Sequence, residues 1–532
     1  MKRSISRFLA LTTALSALAL SGCAAAETGG TEGDGVTEIS LSDSGITVDG
    51  KAVSTDETAA VYTANDIVYY QEGQDFTYGE GTAADEHSQA EADAHTVVHI
   101  TRPGAYSLSG TLSAGQVAVD LGDDAEEDPN AVVTLILNGA DITCTVAPAV
   151  IFYRVYECGS ADQETATRDV DTSAAGANVV IADGTTNNIS GSYVARIYKP
   201  DSVELSEDGT EVADAKKLHK YDGAFYSKMS MNVGGGELGT GVLNITAENE
   251  GLDAELHLTI NSGVINIESG NDGINTNEDY VSVTTINGGA LTIQVTGETG
   301  EGDGIDSNGW LVINGGSVVA AACSTSGDSG IDADNGIYIN GGTVIASGNM
   351  YDRIEDGGQN YAVFAFAERQ AGGIAYTLKD AGGQTVGAWT PANDFTYLVI
   401  STPDLPEGTY TLWQRETQLA GSASEGGMGG FRPDGMTPPE GEELPEGFDR
   451  PGDFEPPEGM ERPEDGERPQ RNEDGTVTLP DGTTVEPGQL TRPDGEGHGG
   501  RFDGGAQEAG EVSTEFTITD GGNFFTRVAP AA

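Results

Sequence analysis

A four-residue turn recurs through the middle of this chain at nearly constant spacing, and that recurrence limits what the chain can fold into. It reads Ile260-Asn261-Ser262-Gly263, Ile286-Asn287-Gly288-Gly289, Ile313-Asn314-Gly315-Gly316 and Ile339-Asn340-Gly341-Gly342. The asparagines stand 26, 27 and 26 residues apart. Each copy leads into a β-branched or aliphatic run: Val264-Ile265-Asn266-Ile267, Leu291-Thr292-Ile293, Val318-Val319-Ala320 and Val344-Ile345-Ala346. Ahead of each lies a Gly-aliphatic-Asp/Asn unit: Gly251-Leu252-Asp253, Gly273-Ile274-Asn275, Gly304-Ile305-Asp306 and Gly330-Ile331-Asp332. The aliphatic residue precedes the turn isoleucine by eight positions in three copies and by twelve at Ile274, so that copy holds a four-residue insertion.

A period in this range with several short strands per unit is the mark of a solenoid. One coil cannot bury its own apolar face, so coils stack and their aliphatic positions form an interior column. At about 3.3 Å per strand residue, a coil of this length holds three short strands and three bends. The expected class is therefore all-β, a parallel β-helix, with right-handedness following from the crossover preference of parallel strands. The nine-residue calcium repeats of secreted toxins are too short to match. Leucine-rich repeats need a helical segment, and a propeller blade needs four strands in about 40–50 residues.

The same texture extends upstream through Thr96–Ile100, Val132–Leu137 and Asn178–Ile181, and no stretch sustains an amphipathic helical period. With 76 glycines and 7% aromatics, the composition suits many tight turns and little helix. The helix domain is expected over 38–350. Strands near Tyr361–Phe366, Ile374–Leu378, Tyr397–Ser401 and Thr409–Trp413 read as a small antiparallel cap over 351–420. An acidic, Pro- and Gly-rich insertion over 421–511 has too few aliphatic residues to build a core and reads as disordered. Closing strands follow over 512–532, near Glu515–Thr519 and Phe524–Val528.

The acids of the repeats keep register. Asp253, Asn275, Asp306 and Asp332 follow the aliphatic column, while Asp272, Asp303 and Asp328 lie just ahead of it, with Glu250 and Glu301 close by. Stacked at the strand spacing of about 4.8 Å, two carboxylates repel by roughly 3–4 kcal/mol at an effective dielectric near 20. Raised pKa values could relieve this. A hard divalent cation with oxygen ligands does so better, and Ca²⁺ takes six to eight of them. The competing reading is a solvated acidic face whose short side chains bond their own turns.

The formal charge of −61, from 86 acidic and 25 basic residues, excludes nucleic acid as a partner, because phosphate contacts need a basic surface. Between Lys228 and Arg353 there is no Lys or Arg, and His257 is the only His. A lyase acting on uronates needs a strong base there, which argues against catalysis; a two-carboxylate hydrolase stays open. His257 reads as a strand-surface residue. Lys216, Lys217, His219, Lys220 and Lys228 form a basic cluster that reads mainly as a charged loop. Trp310 and Tyr338, beside the acid column, are candidate sugar-stacking faces. Cys144 and Cys158 could pair, leaving Cys323 free; the chain does not depend on a disulfide framework.

The first residues resemble a bacterial lipoprotein leader. Lys2, Arg3 and Arg7 precede an apolar run from Phe8 to Leu20, too short to span a bilayer, and Leu20-Ser21-Gly22-Cys23 resembles a lipobox. The resemblance implies a signal peptide over 1–22, lipidation of Cys23 and a tether over 23–37. The lipid would be the only membrane anchor, with the chain at the cell membrane facing outward.

Several blocks in order resemble one family: Ile100-Thr-Arg-Pro-Gly-Ala-Tyr-Ser-Leu-Ser-Gly110, Leu135-Ile-Leu-Asn-Gly-Ala-Asp-Ile142, Val180-Ile-Ala-Asp-Gly-Thr-Thr-Asn-Asn-Ile189 and Asp222-Gly-Ala-Phe-Tyr-Ser227, followed by the repeats. These are the bacterial carbohydrate-binding proteins related to a clostridial cellulose- and polygalacturonate-binding β-helix protein. The resemblance runs from about Ile39 to Leu412 plus the closing strands and leaves out the acidic insertion. It implies a right-handed parallel β-helix akin to pectate lyases, bound calcium, a surface location and sugar binding without demonstrated catalysis. The expectation is thus a monomeric surface lipoprotein that binds polysaccharide. A lyase or hydrolase on the same fold, and a structural surface protein or adhesin, are the alternatives.

Overall fold

In the computed structural model, residues 35–206, 208–424 and 511–531 are described, with the backbone of 470–471, 477–478 and 484–485. The expected signal peptide, Cys23 and nearly all of the tether and acidic insertion lie outside them. The body from Thr37 onward is all-β and rich in parallel pairing; among the described residues its one α-helix is Gln89–Asp93, closed by a Ser88–Glu91 capping box. Among the described residues no helix is long and apolar enough to cross a membrane.

The repeats contribute strands to three ladders, one to each except that Gly330-Ile331-Asp332 of the fourth copy forms no strand. The first ladder stacks Gly223–Ser227, Glu250–Ala254, Ile274–Thr276 and Ile305–Ser307 in parallel register, so that Phe225, Leu252, Ile274 and Ile305 form one column. The second stacks His257–Ile260, Val283–Ile286, Trp310–Ile313 and Gly336–Ile339. The third stacks Val242–Ala247, Val264–Ser269, Ala290–Val295, Ser317–Ala321 and Thr343–Gly348. Upstream strands extend all three: Thr96–Ile100, Gly115–Asp120 and Val150–Arg154 belong to the first. Val61–Ala64 then ends that ladder by pairing antiparallel to Thr96–Ile100.

Period-two alternation explains the third ladder. In Val242–Ala247, Leu243, Ile245 and Ala247 are buried and the residues between them are not. Register places Leu243, Ile265, Leu291, Val318 and Val344 in one buried column. Each such side chain contributes roughly 1.5–3 kcal/mol on burial.

The turn into this ladder needs its second glycine. Gly316 has φ +81°, and a Cβ there would meet the carbonyl oxygen of Gly289, one coil away, at 2.7 Å. The turn asparagines form an amide ladder: Asn340 donates to Asn314 at 2.8 Å, Asn314 to Asn287 at 2.9 Å and Asn287 to Asn261 at 2.9 Å. The insertion in the Ile274 copy lies at the corner between Thr276 and Val283 and includes Tyr280, at φ +61°.

Beyond the repeats, Phe395–Ser401 adds antiparallel to Thr343–Gly348, and Ile345 joins the apolar core of the terminal segment. The terminal strands thus cover the last strand of the third ladder. The expected strands are found there, joined by Thr385–Trp389 and Thr417–Ser424, which the sequence reading missed. The cap is not wholly antiparallel: Gly522–Pro530 runs parallel to Tyr361–Gln370. Thr417–Ser424 also pairs with Gly522–Pro530, and Gly421 and Ser513 exchange both backbone hydrogen bonds at 2.9 Å.

Cys144, Cys158 and Cys323 are all free thiols, so the Cys144–Cys158 pairing is not formed. Cys144 is buried at the end of a ladder strand, whereas Cys158 lies outside the ladders.

Candidate functional site

The Gly bend that opens each first-ladder strand turns acidic side chains onto one face. Register stacks Asp253 on Asn275 and Asn275 on Asp306; the Asp332 N–H, donating to the Ile305 carbonyl, continues the column by one coil. A second column runs through Glu250, Asp272 and Asp303, tied by a backbone bond from the Asp303 N–H to Asp272 Oδ1 at 2.6 Å. Ser329, whose N–H donates to Asp303 Oδ1 at 2.6 Å, follows Asp303 on the next coil. Asp328 is set back from that column: its Oδ2 accepts from the Gly302 N–H at 2.6 Å and from the Ser326 hydroxyl. Carboxylate oxygens of Asp303, Asp306 and Asp332 lie within 4.8 Å of one another.

No Lys, Arg or His among the described residues forms an ion pair with Glu250, Asp253, Asp272, Asp303, Asp306 or Asp332. Their proton affinities rise accordingly. Burial, then neighbouring carboxylates, pushes Asp306 and Asp332 up to about 8. Burial lifts Asp272 to about 7, against the Asp303 N–H, which favours its charged form. Glu250, Asp253 and Asp303 are pushed well above the carboxylate range, burial again leading.

The donor inventory points the same way. Asn275 donates to Glu250 Oε1 at 3.0 Å, and Asn277 donates to Asp253 Oδ1 at 2.6 Å. Glu250 Oε2, Asp253 Oδ2, Asn275 Oδ1 and Asp332 Oδ1 are buried acceptors with no donor among the described residues, although a proton on Glu250 or Asp253 links those two carboxyls. Orphaned oxygens clustered on one face, with no thiol or imidazole among them, match the ligand chemistry of a hard cation such as Ca²⁺.

On the same ladder, the earlier coils build something different. Tyr153, Tyr221 and Tyr226 meet edge to face, with centroids 5.5 and 5.3 Å apart, and His219 stacks flat on Tyr221 at 4.3 Å. They line a groove of about 630 Å³ together with Lys220 and Glu255. Here most charges have partners: Arg154 pairs with Asp120 and Asp123, Lys228 with Glu126 at 3.2 Å and Lys217 with Glu80 at 2.9 Å. The Tyr226 hydroxyl donates to Glu255 at 2.6 Å. The basic cluster expected as a charged loop is therefore in part the wall and floor of a groove. Lys216 remains exposed outside it.

Trp310 and Tyr338 are half-buried on the second ladder, on adjacent coils, and are not in the groove. The Arg168 guanidinium lies 4.0 Å over the Tyr338 ring, so that face is covered. His257 is not a surface residue: it is buried, its Nδ1 accepts from the Val283 N–H at 3.1 Å, and burial lowers its pKa to about 4.

A family model described as carbohydrate-binding domain-containing protein matches residues 94–365. No curated protein matches the chain. Among solved structures, a polysaccharide lyase-like protein from C. thermocellum, determined as a gadolinium derivative, is similar at 18% identity. The match covers 61% of this chain and 92% of that one, with a TM-score of 0.33.

Proposed function

The chain belongs to the carbohydrate-binding domain-containing family, and on that premise we propose that it is a non-catalytic, calcium-containing polysaccharide-binding lipoprotein of the cell surface. The three ladders are read as the faces of one right-handed parallel β-helix. Lipidated Cys23 anchors it and the body faces outward, as a monomer. Its ligand is an acidic or cellulosic polysaccharide.

The observation that carries the calcium reading is the set of orphaned acceptors, Glu250 Oε2, Asp253 Oδ2, Asn275 Oδ1 and Asp332 Oδ1, on a face that also holds Asp272, Asp303 and Asp306. Asp328, engaged by its own turn, stands at the edge of this set. An ion held there offsets the mutual repulsion of the column and offers a bridge to a carboxylated sugar, which an acidic protein would otherwise repel. Trp310 keeps the role of a sugar platform, and Tyr338 does so together with the Arg168 that covers it.

The test is retention of the full-length protein on polygalacturonate and on cellulose, each with calcium and with chelator. Calcium-dependent retention on polygalacturonate is expected; retention there that chelation leaves unchanged removes the bridge. A polysaccharide lyase is the second reading, favoured by Lys220 and Glu255 lining one groove. Unsaturated uronate products formed by the pure protein decide for it.

A further inference from the structure

The groove on the earlier coils has two features that the structural pairing leaves unused. Lys220 is half-buried on its wall and is in no ion pair, although the other groove cations, Arg154, Lys217 and Lys228, each have one. His219 is 7% exposed, and neither ring nitrogen has a hydrogen-bond partner, so the observation holds for either tautomer. Burial lowers the His219 pKa to about 4, with Arg196 adding to the effect, so the ring is neutral at ordinary pH.

Among the described residues none of the five groove acids, Asp120, Glu126, Glu157, Glu255 and Glu278, forms an ion pair with Lys220. Asp120 and Glu126 are taken by Arg154 and Lys228. Glu157 accepts from the Gly159 and Ser230 N–H groups, each at 2.6 Å. Glu255 accepts the Tyr226 hydroxyl at 2.6 Å. A lone ammonium beside tyrosine rings on a chain of net charge −61 draws an anion carried on a ring. The volume lies within the range of about 300–1,000 Å³ typical of small-ligand sites.

We propose that this groove is an anionic-sugar subsite, separate from the acid columns, in which Lys220 takes the carboxylate of a uronic acid residue and the Tyr153 and Tyr221 rings meet its pyranose face. A hydroxyl-rich ligand also supplies partners of the kind that the His219 floor lacks. This rests on the carbohydrate reading above and names the ligand class and the residues that select it.

The test is calorimetric titration of the full-length protein, in calcium, with a galacturonate tetramer and with cellotetraose. Loss of one charge-assisted hydrogen bond in Lys220→Met is expected to weaken galacturonate binding about 10- to 100-fold and leave calcium binding unchanged. Tyr221→Ala is expected to weaken it as well. Unchanged galacturonate binding in Lys220→Met overturns the subsite, and so does a wild type that prefers cellotetraose. A wild type that binds neither oligomer nor the polymers sinks the carbohydrate reading itself, a different failure from a silent Lys220.

Discussion

The asparagines at 261, 287, 314 and 340 share one register, and the acids at 253, 306 and 332 share another that only Asn275 interrupts, yet the two columns end in opposite states. An amide is both donor and acceptor, so each asparagine gives one hydrogen to the oxygen of the coil before it, at 2.8–2.9 Å, and the ladder satisfies itself. A carboxylate only accepts. Stacked on its like, it gains repulsion and no bond, and acceptor oxygens are left bare inside the fold. The same stacking therefore stabilises one face unaided and makes the other depend on protons or a cation.

The strongest way to break that contrast is to give the acid column amides. Asp306→Asn/Asp332→Asn is expected to lower calcium affinity by about 100-fold or more, since loss of even supporting shells at metal sites costs about 10–100-fold; isothermal titration reads it. Calcium binding equal to that of the wild type would place the ion elsewhere.

Acidity sharpens the contrast next. Asp306 and Asp332 have folded-state pKa values of about 8 and Asp272 of about 7, all above the ordinary 3.8. The folded chain then binds more protons than the unfolded one between about pH 4 and pH 8. This contribution is fully present below the unfolded value and is lost as pH rises through 7 and 8. In chelator, Tm is expected to fall from pH 5 to pH 9. Calcium at about 100 times its Kd restores about 2.7 kcal/mol per site, most visibly at the alkaline end. Parallel melting curves with and without calcium at pH 8 contradict this.

Asn275 is the one amide already in the acid column. Asn275→Asp removes the donor to Glu250 and adds a charge. The chelated protein is expected to lose about 1–3 kcal/mol, recovered when calcium is added; urea titration in both conditions measures it. The smallest effect is in the amide ladder. Asn314→Asp removes one donor at an exposed position, at a cost of about 1 kcal/mol or less at pH 7. The loss disappears below about pH 3, where the acid regains a proton to donate.

The ladders and the acid register were readable in the chain because both follow a period. A residue that must meet its counterpart one coil away recurs at the coil length, as Leu252, Ile274, Ile305 and Asp253, Asn275, Asp306 do. The amide ladder was equally legible in the spacing of the Ile-Asn-Gly turns; what was missed is that asparagines at such spacing bond each other. The groove obeys no period. Tyr153, His219, Tyr221 and Glu255 come from separate coils and a corner loop. His257 reads as a surface residue within its own short strand, whereas Gly159, far from it in sequence, packs against the ring. Thr385–Trp389 has too few apolar residues to stand out, being a largely exposed edge.

The paired exchange between Gly421 and Ser513 has a consequence for the stretch from 425 to 510. Its exit and its return are clasped side by side, so the terminal sheet sees a closed gate whatever passes beyond it. Closing a longer excursion costs only logarithmically more. Evolution, or an experimenter, can lengthen, shorten or replace that passage without rewriting the alignment of a single strand.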